Sequence, residues 1–334
     1  MPPNVLVTGS AGHLGTALML SLPTHGLHPV GIDILPSPTT THVGTITSPE
    51  FISSIFAKYP TITHVIHAAT LHKPHVDSHT KTDFVSANIQ GTLVLLEEAA
   101  RLEGRITSFI FISTTSTFGR ALSPGAGKPA VWIDESVVPI PKNIYGVTKV
   151  AAEDLCHLVH SQTRMPVLVL RTSRFFPEDD DDEERRAAMG DDNLKVLELC
   201  YRRVDVEDVV SACVCAARRA PEVKWGKYII SAPPPFDRDE SVLARLNSNA
   251  GEVMREVAPG CEGVFAEKGW KFLERIDRVY DSGKAVRELG WEPRYTFARA
   301  VEGIATGGRW KSELTDRVGK KGYHAVSTGV YTVR

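Results

Sequence analysis

Val5-Leu6-Val7-Thr8-Gly9-Ser10-Ala11-Gly12-His13-Leu14-Gly15 joins a short β-branched run to an amphipathic segment through three glycines at three-residue spacing. Glycines at 9, 12 and 15 permit a tight strand-to-helix turn. They also let the backbone approach a pyrophosphate closely, where the N–H groups and dipole of the following helix stabilise negative charge. Three glycines alone also describe an ordinary turn; the strand pattern before them and the helix pattern after them give the dinucleotide-binding reading. Candidate cofactor contacts are Gly9, Gly12, His13, Leu14 and Gly15. Eighteen residues past Gly15, Asp33 ends a second strand pattern and Ile34 follows it. A carboxylate there accepts ribose hydroxyls and repels a 2′-phosphate, and no Lys or Arg stands within the next several residues, so NAD is expected over NADP.

Outward from this loop, strand patterns at Val5–Thr8, Pro29–Asp33, His64–Ala68, Ile106–Ser113 and Val167–Arg171 alternate with helix patterns at Leu14–Leu22, Glu50–Tyr59, Asp83–Leu102 and Tyr145–Ser161. Such alternation predicts an α/β chain with a parallel sheet covered by helices on both faces. A helix at Val206–Arg218 and a strand at Lys227–Ser231 return to the sheet, and Pro233-Pro234-Pro235 then breaks the chain. Glu178 to Glu184 is an acidic run, read as a solvated loop because consecutive carboxylates repel and do not converge on one ion.

The composition narrows the partners. With 334 residues, 42% hydrophobic, 38 Lys and Arg against 40 Asp and Glu, and a net charge of −2, the chain has no electrostatic footprint for nucleic acid or an anionic membrane. Five scattered cysteines form no C-x-x-C pair, and no stretch has the length of a membrane span or the layout of a secretory signal. A cytoplasmic protein with reduced thiols and no metal site is expected.

Tyr145-Gly146-Val147-Thr148-Lys149 places a phenol and an ammonium on one face at the start of a helix. A tyrosine titrates near ~10, so acid/base work at neutral pH needs about 4 kcal/mol in favour of the phenolate. One ammonium about 5 Å away contributes about 3 kcal/mol at an effective dielectric of ~20. On an exposed helix the same spacing is an ion-pairing lysine and a half-buried tyrosine. What changes the reading is Phe109-Ile110-Phe111-Ile112 running into Ser113-Thr114-Thr115-Ser116-Thr117-Phe118-Gly119, which gathers hydroxyls at the C-terminal end of a parallel strand, where open α/β sheets place ligands.

The glycine loop, Asp33, His67-Ala68-Ala69, Asn88, the hydroxyl strand and Tyr145 with Lys149 together resemble an extended short-chain dehydrogenase/reductase, and more narrowly the NAD-dependent epimerase/dehydratase family. The likeness continues through Arg203–Val210 and Asp281–Pro293, covering about 300 residues. It implies a Rossmann-type doubly wound parallel sheet with a smaller, mostly C-terminal substrate-binding domain. The NAD-binding part would be 1–174 and 203–232, the substrate part 175–202 and 233–310, and the tail 311–334.

The resemblance carries the catalytic hydroxyl onto Thr114 and the general acid/base onto Tyr145. It has Lys149 lower the tyrosine's pKa while bonding the nicotinamide ribose, and lays Ala68 and Ala69 along the cofactor. Thr115, Ser116, His72, Phe175 and Arg202 are weaker substrate candidates. The implied activity is hydride transfer at a secondary alcohol or carbonyl carbon of a small polar, sugar-like substrate, by a homodimer. A UDP-glucose 4-epimerase type is disfavoured by the acidic stretch after Arg171, and an NAD(H)-sensing regulator without turnover is the rival from another class.

Overall fold

The five strand patterns read from Val5 to Arg171 pair in one parallel sheet, as seen in a computed structural model that describes residues 1–125, 127–178 and 183–321. The strands are β1 (Val5–Thr8), β2 (Pro29–Asp33), β3 (His42–Val43), β4 (His64–His67), β5 (Ser108–Thr114), β6 (Val131–Ile133), β7 (Val167–Thr172), β8 (Arg174–Phe175), β9 (Arg203–Val204), β10 (Trp225–Ile230) and β11 (Arg278–Tyr280). Seven of them form the sheet in the order β10-β7-β5-β4-β1-β2-β3. The order reverses between β1 and β4, so a crevice opens over their C-terminal ends, where ligands bind in doubly wound folds. The separate pairs β11-β6 and β8-β9 stand outside this sheet.

The helices are α1 (His13–Ser21), α2 (Pro49–Lys58), α3 (Lys81–Phe84), α4 (Gly91–Ala100), α5 (Ile144–Thr163), α6 (Glu183–Met189), α7 (Asp191–Glu198), α8 (Val206–Val223), α9 (Glu240–Val257), α10 (Cys261–Lys268), α11 (Gly283–Leu289), α12 (Phe297–Ala305) and α13 (Glu313–Val318). On one face of the sheet α1, α8, α11 and α13 bury Val7, Leu18, Ile110, Val209, Trp291 and Leu314 in a common core. On the other face α2, α4 and α5 bury Leu6, Ile32, Phe56, Leu95, Phe109 and Cys156. Both faces being covered explains why the strands read as continuous apolar runs and do not alternate. A third core, with Phe176, Leu197, Met254, Phe265 and Phe297, belongs to the C-terminal lobe.

Three sequence expectations change. The helix expected from Asp83 to Leu102 is broken by a π turn at Val85–Gln90. That wider turn brings Asn88 inward, where its amide donates to Leu71 O (2.8 Å) and Thr148 Oγ1 (3.0 Å) and its oxygen accepts from Leu71 N (2.8 Å). Asn88 is thus a clamp between the β4 loop and α5.

Second, residues 311–321 of the segment read as a tail are anchored. Ser312 caps α13, and Leu314 and Val318 are buried against α1 and α8; residues 322–334 lie outside the described residues.

Third, the acidic run does not begin in solvent. Glu178 is partly buried beside His13, its side chain 16% exposed, while Asp179 to Asp182 lie outside the described residues, as do the side chains of Glu183, Arg185 and Arg186. No helix among the described residues is long and apolar enough to cross a membrane.

Candidate active site

The phosphate loop is tied together by its own backbone. Gly9 N and Ser10 N donate to Ile32 O, Gly12 N donates to Gly9 O, and Gly9 takes φ +73°, which a side chain resists. A Cβ on Gly15 would sit 1.9 Å from Gly9 O, so this glycine is required by packing of helix on turn. Gly12 is different: a Cβ there would meet only Gly9 O, at 3.4 Å. Its bareness serves the cavity outside. Helix α1 begins with no side-chain cap and no acidic residue in its first turn, so the leading amides face the cavity with the positive end of the dipole behind them. These features fit a dinucleotide's diphosphate.

Asp33 closes the loop from β2, its Oδ2 accepting Ala11 N and its Oδ1 accepting Leu35 N, both at 2.9 Å. The carboxylate is therefore fixed in position at the end of β2, on the cavity wall. Gly44, Thr45 and Thr47 lie farther along the same wall.

A single cavity of about 1000 Å³ runs from this loop to the C-terminal lobe. Gly9, Gly12, His13, Leu14, Gly15, Asp33, Ile34, Ala68, Ala69, Thr114, Thr115, Ser116, Tyr145, His72, Phe175 and Arg202 all line it. The proline segment Pro233–Pro235 and the following Phe236 are not on its wall, and Phe236 is buried in the C-terminal core.

Lys149 is the exception among the candidates. It is fully buried behind β5, its ammonium donating to Ile112 O (2.7 Å) and lying 3.9 Å from the centre of the Phe111 ring. Burial pulls its pKa down to about 7. The expectation that it lowers the pKa of Tyr145 is not met in this state, because the ammonium is spent on a carbonyl and an aromatic face.

Tyr145 follows Asn143, whose side chain caps α5 by accepting Gly146 N (3.0 Å). Burial raises the phenol's pKa, a hydrogen bond from Thr114 opposes this, and the Glu178 carboxylate adds to the rise. The phenol is protonated at neutral pH and lines the cavity together with the Thr114 hydroxyl at the end of β5.

Behind this pair sits a buried ionic cluster. Glu153, one turn after Lys149, accepts from Ser113 Oγ (2.6 Å), Arg171 Nε (2.9 Å) and Nη2 (2.6 Å), and Lys227 Nζ (2.9 Å). It joins α5, β5, β7 and β10 beneath the hydroxyls at the end of β5. His67 is equally committed: its two ring nitrogens meet Thr8 Oγ1 (2.7 Å) and Thr92 Oγ1 (2.9 Å), and burial beside Lys149 drops its pKa to about 3. Among the described residues no three His, Cys, Asp or Glu side chains are placed to hold a metal ion.

Glu178 was missed as a site residue. Its carbonyl is held by the buried Arg203 (2.5 Å) and its carboxylate lies 3.6 Å from His13 Nδ1. His13, His72 and Arg174 outweigh burial and bring its pKa to about 2. The signal was available: Glu178 follows Phe175 by three residues, so it could not lie far from the cleft. Arg278, also on the cavity wall, paired with Asp277 at 2.6 Å, had no local signal. Arg202 faces the cavity but is also engaged by Glu198, with Nε at 2.9 Å from Oε1.

A model of the NAD dependent epimerase/dehydratase family matches residues 5–230. UDP-glucose 4-epimerase of Halalkalibacterium halodurans is 25% identical over 87% of this chain and 91% of its own. The enzyme of the same name from Rhizobium meliloti is 26% identical over 90% and 95%. Among solved structures, UDP-glucuronic acid 4-epimerase from Bacillus cereus in complex with NAD matches with a TM-score of 0.61 at 20% identity, covering 95% of this chain and all of that one (100%). UDP-glucose 4-epimerase from Thermotoga maritima with UDP-glucose also gives 0.61 at 20% identity, over 91% and 99%. These two structures share the fold.

Proposed function

The chain belongs to the NAD-dependent epimerase/dehydratase family, and from that membership we propose that it oxidises and reduces a secondary alcohol carbon of a nucleoside-diphosphate sugar, as an epimerase. The observation that carries this reading is the Thr114–Tyr145 hydroxyl pair on the wall of the cavity that begins at the uncapped glycine loop. When bound, NAD supplies the hydride acceptor and donor. Tyr145 takes the hydroxyl proton as a phenolate when the carbon is oxidised, and the phenol so formed gives that proton back to the carbonyl oxygen when the carbon is reduced. Thr114 bonds the same oxygen. Residues 1–174 and 203–232 would hold the dinucleotide, and 175–202 with 233–310 the sugar nucleotide.

Arg174, Arg202 and Arg278 on the cavity wall suit a diphosphate, although Asp277 and Glu198 neutralise part of their charge. Their presence, with the names of the relatives, supports a nucleotide-sugar substrate in spite of the acidic run. A homodimer through α4 and α5 is supported by the exposed Val85, Val147 and Leu158 beside and on these helices, and light scattering tests it. Five cysteines without a disulfide support a reducing, cytoplasmic setting.

The test is turnover of UDP-glucose to UDP-galactose. Tyr145→Phe should lose about 10²–10⁴ in kcat with NAD affinity unchanged; wild-type kcat in that variant would overturn the assignment. The withdrawal of Lys149 from the cavity wall favours one second reading, an NAD(H)-sensing regulator, which any catalysed epimerisation would exclude.

A further inference from the structure

The C-terminal segment reaches the phosphate loop from the far end of the chain. Its anchor is Asp205, which caps α8 by accepting Glu207 N (2.8 Å) and also accepts Ser312 N (2.8 Å), Ser312 Oγ (2.6 Å) and Thr315 Oγ1 (3.1 Å). Leu314 and Val318 then bury α13 in the core that α1 shares. Gly319, at φ +63°, turns the chain off the end of the helix, and the Lys321 N–H donates to His13 Nε2 at 2.7 Å across 308 residues of sequence.

Accepting at Nε2 leaves the His13 proton on Nδ1, the nitrogen that faces Glu178 at 3.6 Å. His13 is the first residue of α1, so the ring at the mouth of the phosphate loop is gripped from both sides. Lys320 and Lys321 line the cavity with Gly12, His13 and Asp33.

A dinucleotide brings two negative charges to this loop, where Asp33 already holds one. The partial charge of about +0.5 at a helix start balances only part of that. Local sequence offered no cation near Asp33, but the fold delivers one. We propose that residues 312–321 complete the dinucleotide site: the Lys321 ammonium binds the diphosphate on its adenosine side, and the Lys321 backbone locks His13 as the outer wall of the loop. That the ammonium reaches this side agrees with the influence of the Asp33 carboxylate on its titration.

This inference rests on the NAD reading, and the experiment separates the two. Full-length wild type, Lys321→Met and Lys321→Pro, each stripped of bound dinucleotide, are titrated calorimetrically with NAD and with ADP-ribose at about 25 mM and about 500 mM salt. Lys321→Met should weaken both ligands roughly five- to tenfold at low salt, with the difference shrinking at high salt, as a half-exposed charge contact requires. Lys321→Pro, which also removes the N–H donor to His13, should weaken both at either salt concentration. Equal affinities of wild type and Lys321→Met at low salt, or a loss confined to NAD with ADP-ribose unaffected, would overturn the proposal. Failure of the wild type to bind either ligand would overturn the NAD reading itself.

Discussion

Replacing Glu153 by Gln tests whether the buried cluster under the hydroxyls at the end of β5 holds the site together. Glu153 is fully buried and Arg171 is 2% exposed, so neither can turn to water when its partner is lost. Gln keeps the shape, but it accepts through one oxygen and turns an NH₂ toward cations that need an acceptor. Breaking a buried ion pair from one side costs about 3–5 kcal/mol, which for a chain of this size lowers Tm by roughly 4–7 °C.

Arg171, Lys227 and Ser113 hold the Glu153 carboxyl below the ordinary carboxylate value despite burial. A depressed folded pKa gives stability that is present above the unfolded value of about 4.5 and is lost as pH falls through the lower, folded one. The gap between wild type and Glu153→Gln should therefore narrow below pH ~4. Adding Arg171→Met removes the stranded guanidinium, so the double variant should be more stable than the sum of the singles by about 2 kcal/mol. Urea melts between pH 3 and 8 read all three quantities. A Glu153→Gln protein within about 1 kcal/mol of wild type, or strict additivity with Arg171→Met, would refute the reasoning.

Two further predictions follow from the same geometry. Gly12→Ala should fold with wild-type stability, since its Cβ meets nothing closer than 3.4 Å, yet lose at least about tenfold in NAD affinity because the methyl enters the diphosphate's space; Gly15→Ala, with its Cβ at 1.9 Å from Gly9 O, should lose stability as well. Thermal melts and calorimetry check the pair, and unchanged NAD binding by Gly12→Ala would displace the diphosphate from this loop. Lys149 has a folded pKa of about 7 against an ordinary value of 10.5, so the unfolded chain binds its proton more tightly between these values and this residue's contribution to stability rises with pH there. The stability of wild type relative to Lys149→Met should accordingly climb from pH 7 to 10 by up to roughly 4 kcal/mol, and a flat difference in urea melts would contradict the burial argument.

Much of this molecule was legible before folding because it depends on short-range pattern. The order of strands and helices, the turn at Gly9–Gly15, the acceptor at Asp33 and the hydroxyls at the end of β5 follow from side-chain periodicity and from what glycine alone permits. The placement of Thr114 beside Tyr145 was also within reach, since the C-terminal end of a parallel strand and the start of the helix covering it share one crevice.

What the sequence could not contain are effects set by burial and by contacts between distant segments. The i, i+4 spacing put Lys149 on the face of Tyr145, but only packing showed the ammonium taken by Ile112 O and the Phe111 ring. Glu178 looked like one carboxylate in a solvated run until Arg203 and His13 drew it into the cavity. No periodicity marks residues 312–321 as part of the phosphate site, because what brings Lys321 to His13 is the docking of α13 on Asp205. Pattern along the chain thus specified the scaffold and its reactive groups, whereas their charge states and the closing wall of the cavity were decided by desolvation and long-range contacts, which exist only once the chain has folded.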